Sequence, residues 1–264
     1  HYGTRRQRQM CIRDRDGYDV ISTIDVNIQD VTHHALLAQL EKFEAEHGTA
    51  VVMETKTGEI KAISNLGRGK SGKYYEKLNY AVGESHEPGS SFKLVTMVAA
   101  LEDKVIDSSY VVDTENGRVK FYDRVVKDSH WGGYGKISAA RAFEVSSNTA
   151  FAKIVFEHYK NNPKKFVDRL INMGLNDKLG LSIKGEGAPK IPYPGEKNWY
   201  GTTLPWMAFG YGVSLTPLQT LAFYNAIANN GEMVKPRFIK RVMSWDKIRA
   251  VSYTHLRAHE TRTY

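Results

Sequence analysis

Cysteine is almost absent from this 264-residue sequence, and the only residue of this type is Cys11. A single thiol excludes an internal disulfide framework and a cysteine-based metal site, and it is compatible with an exported protein that avoids thiols. The sequence also has no run of about 18 consecutive apolar residues, the length that a membrane-spanning helix needs, and no secretory signal. We therefore expect a globular chain that folds without disulfide cross-links.

A basic stripe is missing as well, although the net charge is +8. Residues 1–15 hold five Arg against one Asp and residues 251–264 hold two Arg against one Glu, so +3 remains for residues 16–250. There the basic residues are scattered among acids, which disfavours nucleic acid as a partner. The six histidines of that part have no metal-ligand spacing, so we expect neither a metal nor another cofactor.

The segment 84–101 is the most informative part of the chain. The Pro88-Gly89 pair ends any earlier regular structure, and the apolar run 92–101 is typical of a helix buried on nearly every face. Ser90 and Lys93 lie one turn apart at its start, so the hydroxyl and the amine can approach hydrogen-bonding distance. The helix dipole and burial both disfavour an ammonium there, which favours a Lys93 that accepts the serine proton.

A Ser-x-x-Lys spacing alone carries little weight, because most such serines are helix caps and Ser244 with Lys247 repeats the spacing without a functional context. A second element changes the interpretation. Ser146 and Asn148 belong to a polar Ser-x-Asn triplet between two helix-like segments. A hydroxyl and a carboxamide in such a loop can relay a proton and hold a substrate amide beside the first pair.

These motifs resemble the transpeptidase domain of class B penicillin-binding proteins. The resemblance covers about residues 19–243, and the ordered combination of motifs is far more specific than any one of them. The motifs are Ser-Thr-Ile-Asp-Val-Asn-Ile-Gln-Asp at 22–30, Ala-Val-Val-Met-Glu-Thr-Lys-Thr-Gly-Glu-Ile at 50–60, Glu-Pro-Gly-Ser-Ser-Phe-Lys at 87–93, Ser-Ser-Asn at 146–148 and Phe-Gly-Tyr-Gly-Val-Ser-Leu-Thr-Pro-Leu-Gln-Thr at 209–220.

The resemblance implies a role for each candidate residue. Ser90 would attack the carbonyl of a D-alanyl-D-alanine stem peptide, and its backbone N–H would form half of the oxyanion hole. Lys93 would be the general base, Ser146 a proton relay to the leaving amine, and Asn148 a partner of Lys93 and of the substrate backbone. An amine of a second stem peptide would resolve the acyl-enzyme as a cross-link, and β-lactams would trap Ser90.

The resemblance also implies partners and a location. The partners would be peptidoglycan stem peptides, β-lactams and the membrane-bound machinery of cell-wall synthesis. The location would be extracytoplasmic, at the periplasmic face of the bacterial inner membrane. Since the family's membrane anchor would precede this segment, we expect the chain to be a fragment that lacks it.

One departure from the family concerns its third motif, a Lys-Thr-Gly or a close variant downstream of Ser-x-Asn. Residues 149–264 contain no such motif. The literal Lys56-Thr57-Gly58 lies upstream of Ser90 between two strand-like runs, which predicts a hairpin turn. We therefore expect a fold that is incomplete on its C-terminal side and a fragment of low or no activity.

The expected architecture is α+β, an antiparallel sheet flanked by helices, as in the penicillin-binding transpeptidase and serine β-lactamase-like fold. Residues 16–250 would form a partial transpeptidase domain, whereas 1–15 and 251–264 have no apolar periodicity and are predicted to be non-native or disordered. The sequence predicts a hairpin over 49–64, a loop over 66–73, polar extended segments around 110–128 and a strand near 232–242. The predicted helices, besides that of Ser90, span 26–46, 138–145, 149–160, 163–173 and 217–229.

Two alternative functions stay open at this point. A β-lactamase-like serine hydrolase would need an activated deacylating water, and we find no residue to position it; hydrolysis of the acyl-enzyme would identify this class. A non-catalytic module that keeps the fold would show no acylation. The aromatic-rich segment 193–211 can either wall a peptide cleft or pack in the core, and His86 lacks an orienting acid for a Ser-His-Asp triad.

Overall fold

The computed structural model describes residues 17–244 and 247–251. The predicted foreign segments, 1–15 and 251–264, lie outside the described residues except for Val251, which is the last residue of a strand. Within the described part, no helix has the length and apolarity needed to cross a bilayer.

The chain alternates between short strands and helices. The strands are β1 (Asp19–Ser22), β2 (His47–Met53), β3 (Ile60–Arg68), β4 (Tyr74–Tyr75), β5 (Val111–Asp113), β6 (Arg118–Phe121), β7 (Arg124–Lys127), β8 (Lys136–Ser138), β9 (Ile239–Ser244) and β10 (Lys247–Val251). The helices are α1 (Val26–Phe43), α2 (Tyr80–Gly83), α3 (Lys93–Glu102), α4 (Ala139–Glu144), α5 (Asn148–Tyr159), α6 (Pro163–Asn172), α7 (Thr203–Met207) and α8 (Pro217–Ala228), and a 3-10 turn spans Gly89–Phe92.

The strands pair in antiparallel fashion. One sheet has the order β1-β9-β10 and another β2-β3-β4, while β5 pairs with β8 and β6 with β7. A bridge between Glu59 and Arg237 joins the two three-stranded sheets. Beside it, the hydroxyl oxygen of Thr23 lies within hydrogen-bonding distance of two carbonyls, those of Ile60 at 2.7 Å and Arg237 at 2.9 Å. The fold is therefore α+β, as predicted.

Local capping explains where the helices begin and end. In α8, Pro217 is the first residue and Thr216 forms a capping box with Gln219, which satisfies backbone N–H groups that would otherwise lack partners. The predicted boundaries of this helix were correct to one residue. The prediction for α1 was too long, because Glu44 adopts a left-handed φ of 49° that ends the helix.

The predicted strand near 232–242 was wrong over its first part, because β9 begins only at Ile239. The prediction of a loop over 66–73 was wrong at its start. β3 continues to Arg68, since Gly67 and Arg68 pair with β4. The short elements β1, α2 and α7 were not predicted, because each is held by long-range partners rather than by a local pattern: Val20 of β1, for example, pairs with Val242 of β9.

The larger hydrophobic core lies among the helices and positions those that carry the candidate site residues. Buried residues of α3, such as Val95 and Ala99, share this core with those of α5 and α6, such as Phe151 and Phe166. The expectation that α3 is buried on nearly every face was too strong, since Leu101 is 40% exposed. A smaller core around Ile60, Val82, Leu179, Leu218 and Ala222 supports the three-stranded sheets.

Candidate active site

Ser90 and Lys93 lie at the junction of the 3-10 turn and α3. Ser90 is within the turn, and Lys93 is the first residue of α3, with its backbone N–H donating to the carbonyl of Ser90. The Ser90 side chain is exposed, whereas Lys93 is only 1% exposed. The arrangement presents a hydroxyl to solvent above a buried amine.

The Lys93 amine contacts four oxygen atoms. Its Nζ lies 3.2 Å from Ser90 Oγ, 2.9 Å from Ser146 Oγ, 2.5 Å from the Ser146 carbonyl and 2.6 Å from Asn148 Oδ1. Carbonyl and amide oxygens only accept, so they take the two hydrogens of a neutral amine, and its lone pair is left for a hydroxyl. The four residues named from the sequence thus meet at one nitrogen.

Burial changes the ionisation of this amine. Desolvation lowers the pKa of Lys93 to about 8, while the negative charge of Asp128 acts in the opposite direction. An ordinary lysine has a pKa near 10.4, so at neutral pH a far larger fraction of Lys93 is neutral. A buried amine of this kind can serve as a base in a way that a solvated lysine cannot.

The Ser-x-Asn triplet forms the tight entry to α5. Ser146 adopts a left-handed φ of 53°, and Ser147 caps α5 by accepting from the backbone N–H of Ala150 at 3.1 Å. Asn148 donates from Nδ2 to the carbonyl of Lys127 at 3.0 Å, which turns its Oδ1 toward Lys93. The helix cap and the neighbouring strand β7 therefore fix the side chains that surround Nζ.

A glycine-rich segment after α7 supports the turn that carries Ser90. Gly89 donates its backbone N–H to the carbonyl of Gly210 at 3.3 Å, and Glu87 accepts from the backbone N–H of Gly212 at 2.8 Å. Gly210 has a φ of 87°, and a Cβ atom there would lie 2.1 Å from the carbonyl oxygen of Gly89. Only glycine fits this approach without moving the Ser90 turn.

The Lys56-Thr57-Gly58 triplet lies in the turn between β2 and β3, as predicted. Gly58 has a φ of 70° and donates its backbone N–H to the carbonyl of Glu54 at 2.9 Å, which closes the turn. The carbonyl of Thr55 accepts from Asn225 of α8 at 3.0 Å. None of the four candidate site residues takes part in these contacts.

The aromatic-rich segment packs mainly in the core. Phe209 is buried in the larger core, and Tyr193, Trp199 and Trp206 pack against it. Tyr200 is exposed. His86 pairs with Leu215 through backbone atoms, which explains its place before Ser90 without a catalytic role.

Sequence reasoning missed Asp128, which follows β7 and accepts hydrogen bonds from both neighbours of Asn148, Ser147 and Thr149. The contact depends on how the β6–β7 hairpin folds back onto α5. No short motif reports it, so the sequence offered no signal beyond an acidic residue in a polar segment.

Comparison with known proteins gives a family match over residues 48–262, to the penicillin binding protein transpeptidase domain. Penicillin-binding protein PbpB of Mycolicibacterium smegmatis is 29% identical over 92% of the chain and 37% of its own length. The probable peptidoglycan D,D-transpeptidase PenA of Neisseria meningitidis is 26% identical over 87% of the chain and 39% of its own length. The chain thus spans well under half of these relatives.

Solved structures show the same likeness. The structure of penicillin binding protein 3 from Mycobacterium tuberculosis, complexed with aztreonam, superimposes with a TM-score of 0.75 at 28% identity, over 90% of this chain and 54% of that one. The transpeptidase domain of penicillin-binding protein 3 from Burkholderia pseudomallei gives a TM-score of 0.71 at 27% identity, over 88% of this chain and 65% of that one.

Proposed function

The chain belongs to the transpeptidase domains of class B penicillin-binding proteins, and on that basis we propose that it is a peptidoglycan D,D-transpeptidase that acts through an acyl-enzyme on Ser90. The observation that carries this proposal is the position of Lys93 Nζ, within 3.2 Å of the exposed Ser90 hydroxyl and in contact with Ser146 and Asn148. These distances support the proposed roles of Ser90 as nucleophile, Lys93 as base and Ser146 as proton relay, because one substrate could reach all three.

In the first half of the proposed reaction, the neutral amine of Lys93 accepts the proton of Ser90 Oγ as that oxygen attacks the penultimate D-alanine carbonyl. In this proposal the backbone N–H of Ser90 donates a hydrogen bond to the developing oxyanion. The C–N bond then breaks, and the proton passes from Lys93 through the Ser146 hydroxyl to the leaving D-alanine amine. Ser90 is left as an ester of the stem peptide.

The second half uses the same groups in reverse. The amine of a second stem peptide attacks the ester, and Ser146 and Lys93 carry its proton back to Ser90 Oγ as the C–O bond breaks. Asn148, held by the Lys127 carbonyl, orients Lys93 and offers its amide to the substrate backbone. The product is a cross-link, and the enzyme is regenerated.

The family's third motif supplies a further oxyanion donor, and residues 149–264 contain no Lys-Thr-Gly. Loss of one oxyanion donor slows acyl transfer by about 10²–10³. We therefore propose a low rate for the chain as it stands. We propose further that the protein acts outside the cytoplasm, on stem peptides, alongside cell-wall synthesis proteins.

The direct test supplies a D-alanyl-D-alanine pentapeptide together with a D-amino acid as the acceptor amine, and follows the products by mass spectrometry. We expect release of one D-alanine and transfer of the shortened peptide to the acceptor. Rapid turnover of a chromogenic β-lactam would instead indicate a β-lactamase, and no acylation in either assay would indicate a binding module.

The pH dependence of acylation follows from the ionisation of Lys93. Protonated Lys93 cannot accept the Ser90 proton, so the rate is expected to rise about tenfold per pH unit below the pKa of about 8 and to level off above it. The measurement is the rate of penicillin labelling between pH 5.5 and 9.5. A rate independent of pH across this range would contradict the assignment of Lys93 as the base.

The upstream Lys56 is expected to be dispensable for acylation. Its side chain is exposed on the β2–β3 turn, so Lys56→Ala should change the rate of penicillin labelling by less than about twofold, as is usual for surface substitutions. A large loss of labelling in this variant would show that the triplet belongs to the site after all.

A further inference from the structure

The carboxylate of Asp128 forms hydrogen bonds with the turn that leads into α5. Its Oδ1 accepts from the backbone N–H of Thr149 at 2.9 Å, and its Oδ2 accepts from the Thr149 hydroxyl at 2.8 Å. The Ser147 hydroxyl lies 3.1 and 3.0 Å from the two oxygens. Both oxygens are therefore used, and the residues on either side of Asn148 are tied to one side chain.

The backbone of the residue before Asp128 adds a further hydrogen bond to this turn. The Lys127 carbonyl accepts from Nδ2 of Asn148 at 3.0 Å. The last residue of β7 and the residue that follows it therefore hold the N-cap and the first two residues of α5. Charged acceptors form stronger hydrogen bonds than neutral ones, particularly with buried donors. Ser147 and Thr149 are 1% and 0% exposed, so bulk solvent does not compete for their hydroxyls.

The hydrogen bonds of Asp128 also restrain the conformation of Ser146, although Asp128 does not contact this residue. It sits in the left-handed region with a φ of 53°, a conformation that costs a non-glycine residue free energy and persists only when its neighbours fix it. Its hydroxyl and its carbonyl both face Lys93 Nζ. Release of Ser147 and Thr149 would free the turn to relax and would draw both oxygens away from the amine.

We propose that Asp128 is a positioning residue for Lys93, Ser146 and Asn148, which it serves by holding the Ser-x-Asn turn against the first turn of α3. This inference rests on the proposed function, since it concerns the same acylation. Asp128 does not contact the reacting atoms and acts through the turn.

The charge of Asp128 gives it a second effect that a purely structural contact would lack. The groups that hydrogen-bond Nζ from the neighbouring elements, Ser90, Ser146 and Asn148, are neutral, and the ring that approaches it from α5 is that of Phe151. Asp128 is the ionisable group of the described chain whose charge raises the pKa of Lys93 against the effect of burial. Its removal should therefore lower that pKa.

The test compares Asp128→Asn with Asp123→Asn by penicillin labelling from pH 5.5 to 9.5. Asp123 lies at the other end of β7, in the exposed turn of the same hairpin, and its variant removes the same charge. We expect Asp128→Asn to lower the labelling rate at the high-pH plateau by about tenfold to a hundredfold, as for misplaced catalytic groups. We also expect the rise of the rate toward that plateau to occur at lower pH. Asp123→Asn should match the parent chain in both respects.

The variant Thr149→Val distinguishes the effect of the hydrogen bonds to Asp128 from the effect of its charge. It removes the hydroxyl donor, keeps a similar shape and leaves the carboxylate in place. We expect a smaller loss of the plateau labelling rate than in Asp128→Asn, and a rise of the rate at the same pH as in the parent chain. This variant also carries the test if circular dichroism shows that Asp128→Asn does not fold, because a Thr149→Val chain that labels at the parent rate would contradict the positioning role.

The ionisation of Lys93 can be followed without any acylation. In the chain with ¹³C-labelled lysine, the Cε signal lost in Lys93→Ala identifies this residue, and its titration should shift to lower pH in Asp128→Asn but not in Asp123→Asn. If the parent chain is not labelled by penicillin, the proposed function fails while this titration still tests the link between Asp128 and Lys93. An unchanged titration and an unchanged labelling rate in Asp128→Asn would overturn the inference.

Discussion

Ser90→Ala is expected to abolish covalent labelling of the chain by a fluorescent penicillin, and Lys93→Ala to slow labelling by about 10²–10⁴. The first variant removes the atom that would form the ester. The second leaves the hydroxyl without a base, because Ser146 and Asn148 hold no titratable group that could replace the amine. The measurement is the rate at which a fluorescent band appears on a denaturing gel.

The matched control for this experiment is Ser91→Ala. Ser91 is the adjacent serine, but its hydroxyl donates to the carbonyl of Pro88 at 2.8 Å and not to Lys93. Its variant should label at nearly the parent rate. Labelling that persists in Ser90→Ala and disappears in Ser91→Ala would identify Ser91 as the nucleophile and refute the Ser-x-x-Lys interpretation.

Gly210→Ala is expected to lower the stability of the chain strongly and to disable the site as well. A Cβ atom at this position would lie 2.1 Å from the Gly89 carbonyl oxygen and 2.7 Å from its nitrogen, so the Ser90 turn must shift. The backbone overlap and the left-handed φ of 87° together should cost more than about 3 kcal/mol. Chemical denaturation measures the loss of stability, and penicillin labelling measures the loss of function.

Gly212→Ala is the control, since Gly212 also has a positive φ, 76°, but no atom lies within 4 Å of the added Cβ. It should carry only the conformational cost, about 1–2 kcal/mol, and keep its backbone bond to Glu87. Equal losses in the two variants would show that the contact between Gly89 and Gly210 contributes nothing beyond the backbone conformation.

The parts of the fold that sequence predicted are those fixed by neighbours in the chain. The Thr216 cap with Pro217 marks the start of α8, and the spacing of Ser90 and Lys93 places both on one side of a turn. The Ser-x-Asn triplet was found because it occupies a short gap between two helical patterns. In each case the deciding contacts span only a few residues.

The parts that sequence did not predict depend on contacts between distant residues. Asp128 lies in a hairpin whose return to α5 leaves no local pattern, and its hydrogen bonds to Ser147 and Thr149 appear only in the folded chain. The approach of Gly210 to Gly89 is of the same kind. The four-residue strand β1 has too short a pattern to be recognised without its partner β9.

The most direct test of the account is the site of the penicillin adduct. After incubation with benzylpenicillin, the intact chain should gain the mass of one penicilloyl group, and tandem mass spectrometry of its peptides should place that group on Ser90. An adduct on Ser91, on Ser146 or on a lysine, or an unmodified chain after prolonged incubation with excess reagent, would contradict the assignment of Ser90 as the nucleophile.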